Sequence, residues 1–247
     1  MPLGKPFPRT WRPFLTDHVD GYMKDSRFAE HPEHYMRAFR LISTDISELF
    51  YYIEPGATNI NTFSHRIHEI LMRTCIEVEA NCKAILSANK YNKNTSDMNM
   101  SDYKKLELTH RLSEYEVMIS EWADDQYKIR KPFANWSSGS ALPWYVAYNT
   151  VKHNRQEHFA EANFLHLTDA VSALSALIGA QFRDYPYQGF PFSGGMSAVD
   201  IFKGGFEDNP SSSFPVKYPS SWGANESYNF VWTMLRTASE PFDFLSF

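Results

Sequence analysis

Asn149 and His153 lie four residues apart in the segment YVAYNTVKHNR, residues 145–155, so a helix carries both side chains on one face. An amide and an imidazole placed this way could hold a hydroxyl group and take its proton. Tyr145, Tyr148 and Lys152 form an adjoining stripe, and Arg155 stands about 200° of helical rotation from His153. Cationic neighbours lower the proton affinity of an imidazole, which favours the neutral base near pH 7. Such a base could abstract the proton of a ribose 2′-hydroxyl while Lys152 or Arg155 contacts a phosphate. The plainer alternative is that Asn149 and His153 satisfy backbone groups, or each other, where two helices join.

A second polar row could serve the same centre. Glu69, Arg73, Glu77 and Asn81 follow at four-residue steps in a helix expected over residues 62–88. As exposed alternating charges they stabilise that helix by only about 0.3 kcal/mol per pair. If Arg73 and Glu77 instead turn inward toward Asn149, His153 and Arg155, they form a buried ion network. Such a network is costly unless fully paired, so its presence would point to function. His65 and His68, with Glu69 nearby, have a spacing compatible with a metal, but a solvated helix face gives the same pattern, and no metal is assigned. The chain has no phosphate-binding glycine loop, GxSxG elbow or CxxC pair, which excludes P-loop NTPases, α/β-hydrolases and zinc ribbons.

Helices must hold these groups. Over residues 32–53, Tyr35, Phe39, Ile42, Ile46, Leu49 and Phe50 make an apolar stripe, ended by Glu54-Pro55-Gly56. The next helix, over residues 62–88, buries Ile67, Ile70, Leu71, Thr74, Val78, Cys82 and Ile85. Residues 89–99 read as a loop, and Ser101 caps a short helix reaching Arg111. Residues 114–119 and 127–133 can pair as a small hairpin. Residues 137–140 are a linker, and Pro143 suits the first turn of a helix through His153. No glycine or proline separates that helix from the helical pattern over residues 156–182, so one helix and two remain equally open.

The whole chain sets the bounds. With 247 residues, 43% of them apolar and 16% aromatic, it can bury a sizeable core. A formal charge of -5 leaves no global basic field, so any nucleic-acid site must be local. Cys75 and Cys82 sit seven residues apart on one helix face, roughly 10 Å of rise, too far for a disulfide, and read as reduced core residues. The N-terminal residues carry no signal-peptide pattern, and the charge-free apolar stretch 170–182 is too short for a membrane span, so a cytoplasmic protein with no membrane contact is expected. Pro2, Pro6, Pro8 and Pro13 predict an extended arm over residues 1–31. Residues 184–247 hold six of the eleven glycines, six of the fourteen prolines and fifteen aromatics, which disfavours long helices and a free tail alike. This predicts a bundle over residues 1–183 and an irregular C-terminal extension over 184–247, with one short helix at 226–237, packed on the bundle or on a partner subunit.

The Arg73-x3-Glu77 helix, the later Tyr148-Asn149-x3-His153 and the long Ala/Leu-rich helix after it resemble the HEPN superfamily of helical-bundle proteins, in helix order over residues 35–182. The specific motif spans residues 148–155 and is most similar to the YNxxKHxR type of bacterial HEPN-like protein. The resemblance implies an all-α bundle with the small hairpin as an insertion. It also implies a metal-independent, cofactor-free ribonuclease centre, usually built across a homodimer, and a role in stress or phage defence. Asn149 and His153 match the family's Arg-x(4-6)-His motif, in which Asn often follows the Arg. Tyr148 stands where the family's arginine would be, and a tyrosine cannot supply a cationic fork to a phosphorane, so Arg155 or Arg73 would have to reach in from another angle. Two functions follow as expectations: an RNA-directed protein, either a ribonuclease or a degenerate RNA or nucleotide binder, and a noncatalytic dimerisation or interaction module whose aromatic extension binds a partner.

Overall fold

The computed structural model describes residues 1–16, 21–183, 205–209 and 212–247. Helix α1, Pro32–Leu49, begins with a proline whose missing N–H is no loss at a first turn. Helix α2, His65–Ala88, starts at Ser64, whose hydroxyl accepts the Ile67 amide. Its apolar positions Ile67, Ile70, Leu71, Thr74, Val78, Cys82 and Ile85 are buried, and Cys75 and Cys82 are free thiols.

The helix expected from Ser101 to Arg111 is two short ones, α3 at Met100–Tyr103 and α4 at Leu106–His110. The cap is Asn99 rather than Ser101: the Asn99 side chain accepts the Ser101 amide, and Asp102 reaches back to the Asn99 amide. The expected hairpin forms from β1, Glu116–Met118, and β2, Ile129–Arg130, with a helical turn α5, Asp125–Lys128, between them. Val117 lies opposite Arg130, and Met118 opposite Ile129.

Helix α6, Pro143–His153, breaks at Asn154, and the chain then forms α7, Arg155–His158, a 3-10 turn at Phe159–Glu161, and α8, Phe164–Phe182. The continuous helix read over residues 156–182 is therefore interrupted. The cause is tertiary: the amides of Phe164 and Leu165 donate to the carbonyls of Thr62 and Ile60, at 2.8 and 3.0 Å, while Asn163 caps α8. These bonds tie the start of α8 to the chain entering α2, and intervening residues must leave helical geometry to reach it. From Ala170 to Phe182 every residue of α8 is buried. Helices α1, α2 and α6 pack around it, with β1 and the C-terminal strands against its remaining side.

The extension is less irregular than its composition suggests. Strands β3, Glu207–Asn209, and β4, Ser212–Lys217, complete an antiparallel sheet of order β2-β1-β4-β3. Phe214, Val216 and Tyr218 are in the core, and the strand signal they carry is obscured by Pro215, which is buried between the first two. Helix α9 covers only Trp232–Leu235 of the expected 226–237. The extended arm packs as its prolines imply. Tyr228 anchors it: its amide donates to Pro13, its carbonyl accepts the Leu15 amide, and its hydroxyl donates to Thr10 while accepting the Phe7 amide. The described part of the extension shares the bundle's core through Tyr228, Phe230, Trp232 and Phe242; residues 184–204 lie outside the described residues. The fold is thus mainly helical, and among the described residues no helix is long and apolar enough to cross a membrane.

Candidate functional site at the seam of helices α2 and α6

Rotation about α2 decides which of its polar groups reach α6. Arg73 and Glu79 are six residues apart, about 120° of rotation, and flank the buried stripe from opposite sides. Arg73 faces α1, where its guanidinium pairs with Asp45, the same carboxylate that holds Arg66. Glu77 lies on that side too; burial raises its carboxyl above the usual range, and its side chain has no partner among the described residues. The inward turn of Arg73 and Glu77 toward Asn149, His153 and Arg155 is therefore not the arrangement formed, because α1 rather than α6 covers that face.

Glu79 is the acid that meets α6. It accepts the Tyr145 hydroxyl at 2.9 Å and also lies within hydrogen-bond reach of the Tyr148 hydroxyl. Lys152 donates to the Tyr148 oxygen at 3.2 Å, with its ammonium 5.1 Å from the Tyr148 ring centre. Burial, reinforced by the Glu79 charge, pushes both phenols well above their ordinary range, so they remain donors. Burial and then Glu79 also raise the Cys75 thiol, which makes it a poor nucleophile. This is a connected, satisfied network in a low-dielectric seam, an arrangement that fixes geometry. Tyr148, at the position of the resembled arginine, is spent on holding α6 to α2.

The other end of the seam is open and basic. Arg155, on α7, lies near enough to His68 of α2 for its charge to act there. Partial burial first, then Arg155, then His65 hold the His68 imidazole below its ordinary value of 6.5. His65 and His68 both pack on the Phe159 ring, with centroids at 4.8 and 5.7 Å, and Phe159 meets Phe63 at 5.8 Å. Lys152, His153, Arg155 and His158 are exposed, and Asn149 is half-buried. The side chains of Asn149 and His153 make no hydrogen bond among the described residues. An imidazole of lowered proton affinity within the field of a guanidinium, and packed on an aromatic face, can accept a proton, hold an anion and stack a base.

The structure thus joins Tyr145 and Tyr148 to Glu79 of α2, with Lys152 bonded to Tyr148, puts His68 within the field of Arg155, and leaves Arg73 on the α1 side. Sequence reasoning missed Glu79 and weighed His68 only as a metal ligand. The available signal was the spacing of His68, Cys75 and Glu79, seven and four residues apart and hence on one face. Among the described residues no three metal-ligating side chains converge. Comparison with known proteins gave no match: no family model, no curated protein and no solved structure is similar enough to this chain to carry an argument.

Proposed function

We propose that this chain is an RNA-directed, HEPN-like protein that cleaves or binds RNA without a metal at the α2–α7 cluster. One observation carries the reading: His65 and His68 of α2 pack on the ring of Phe159, which follows α7, while burial and the Arg155 charge lower the proton affinity of His68. In the cleavage step His68 accepts the 2′-hydroxyl proton as the 2′ oxygen bonds to the adjacent phosphorus. The P–O5′ bond then breaks, and a proton passes to the 5′ oxygen from His65, which shares the Phe159 ring with His68. Arg155 meets the charge that builds on the phosphoryl oxygens, the task that Tyr148 cannot perform. Asn149 and His153, on the adjoining helix α6, would contact the ribose and the neighbouring phosphate. The reading carries RNA or a nucleotide as partner and a homodimer as the working form, which light scattering on the purified chain tests.

The deciding experiment incubates a labelled single-stranded RNA with purified protein in EDTA. Wild type should produce 2′,3′-cyclic phosphate ends; His68→Ala should lose about a hundredfold or more in rate, the usual scale for a general base, and Arg155→Ala should also be slowed, with circular dichroism unchanged. If wild type binds RNA without cutting it and Arg155→Ala loses binding, the degenerate-binder form holds. Identical RNA behaviour of wild type and both variants removes the proposal.

A further inference from the structure

A cavity of about 400 Å³ opens on the opposite side of α2 from the α6 seam, beside the N-terminal arm. Arg9 forms one wall, with Phe28 and Tyr35 beside it and Ala84 and Ala88 of α2 across from it. The volume falls within the range of small-molecule sites.

Arg9 is unusual for a wall residue. It is 3% exposed, its Nε donates to Gln181 Oε1 at 2.8 Å, and its guanidinium stacks 4.1 Å from the Tyr35 ring centre. Gln181 is itself held by Asn81 at 2.9 Å, so the guanidinium is fixed in place. Its Nη2 has no hydrogen-bond partner, and no carboxylate pairs with it among the described residues. The backbone there takes a left-handed φ of 50°, strained for an arginine, while its amide donates to Phe28. Burial lowers Arg9 to about 10, still a cation at neutral pH. A buried charge lacking a counterion is costly, and an incoming anion relieves that cost.

We propose that this cavity binds a small organic carboxylate, its oxygens on the Arg9 guanidinium and its apolar part against Ala84, Ala88 and Phe28. The charge balance of the rim favours a monoanion: Arg27 is already paired with Asp25, and Glu30 is exposed at the opening, where it repels a dianion. A carboxylate with an aromatic or branched apolar part meets both halves of the wall, whereas inorganic phosphate meets only one.

The test titrates benzoate into the full chain while the Arg9 Nε–H signal is followed by NMR, with chloride at matched ionic strength as the reference. A saturable shift at roughly millimolar benzoate is expected, with inorganic phosphate at least several-fold weaker. Ala84→Phe, which fills the cavity, should abolish the shift; Ala88→Met serves the same purpose if Ala84→Phe does not fold. No saturable shift with benzoate overturns the site. An unchanged shift in a folded cavity-filling variant overturns its location, and phosphate binding as tightly as benzoate overturns the carboxylate assignment.

Discussion

The Tyr145 hydroxyl donates to Glu79 across 2.9 Å and so ties α6 to α2, while the Lys152–Tyr148 contact beside it lies within α6. Removing the donor leaves a half-buried carboxylate short of one partner. Tyr145→Phe should therefore lower stability by about 1–2 kcal/mol in chemical denaturation. The double variant Tyr145→Phe with Glu79→Ala should cost less than the two single changes summed, because both changes remove the same bond. Strict additivity would show that the seam is not a network.

The Arg155 charge is one cause of the lowered His68 imidazole. Removing it must raise the His68 pKa toward 6.5. In Arg155→Gln, NMR titration of the His68 ring should show its midpoint moving to higher pH, and any cleavage activity should require correspondingly higher pH. An unmoved midpoint would mean that the two groups do not act on each other.

Asp45 holds Arg66 and Arg73 on the α1 side, with the arginine side chains about 40% exposed. Partly solvated pairs contribute little, so Asp45→Asn should cost no more than about 1 kcal/mol, with the loss shrinking at high salt. RNA binding should be unchanged. Altered RNA binding in this variant would put the Arg73 row back into the site.

His110 is buried between Thr10 and Thr109, whose hydroxyls lie 3.3 and 2.9 Å from its two ring nitrogens. Burial, and then the Arg12 charge, lower it from 6.5 to about 3. The unfolded chain thus binds the proton more tightly than the folded one. Its contribution to stability is complete above about pH 6.5 and is lost as the pH falls toward about 3, with a slope of at most about 1.4 kcal/mol per pH unit. Denaturation curves between pH 7 and 4.5 should fall less steeply for His110→Gln than for wild type. Parallel slopes would contradict the buried neutral imidazole.

The long elements were readable because their signals are local: an apolar stripe with a Glu-Pro-Gly stop for α1, seven inward positions at three- and four-residue steps for α2, and turn-flanked segments for the hairpin. The break at Asn154 was not, because the bonds that force it run to Ile60 and Thr62, some hundred residues away. Pro215 concealed β4, whose pairing with β1 runs through Val216 and Lys217. At the site, the sequence gives the angular position of Arg73 and of Glu79 on α2 but cannot say which neighbour covers which flank. The Tyr145–Tyr148–Lys152 stripe and Arg155 were legible as chemistry-bearing groups, whereas their partners Glu79 and His68 depend on α6 docking on one flank and α1 on the other.

Tyr228 grips the arm at four points between Phe7 and Leu15, and Asp243 donates its amide to Pro6. During synthesis the arm can meet Phe28, Asn89 and Thr109 early, but its Tyr228 anchor leaves the ribosome about two hundred residues after it. The helices can gather earlier, but β1 has no inner neighbour until Ser212–Lys217 arrives. Closure of this molecule is therefore a late event, and a stalled nascent chain would expose the apolar flank of α8 to whatever chaperone is near.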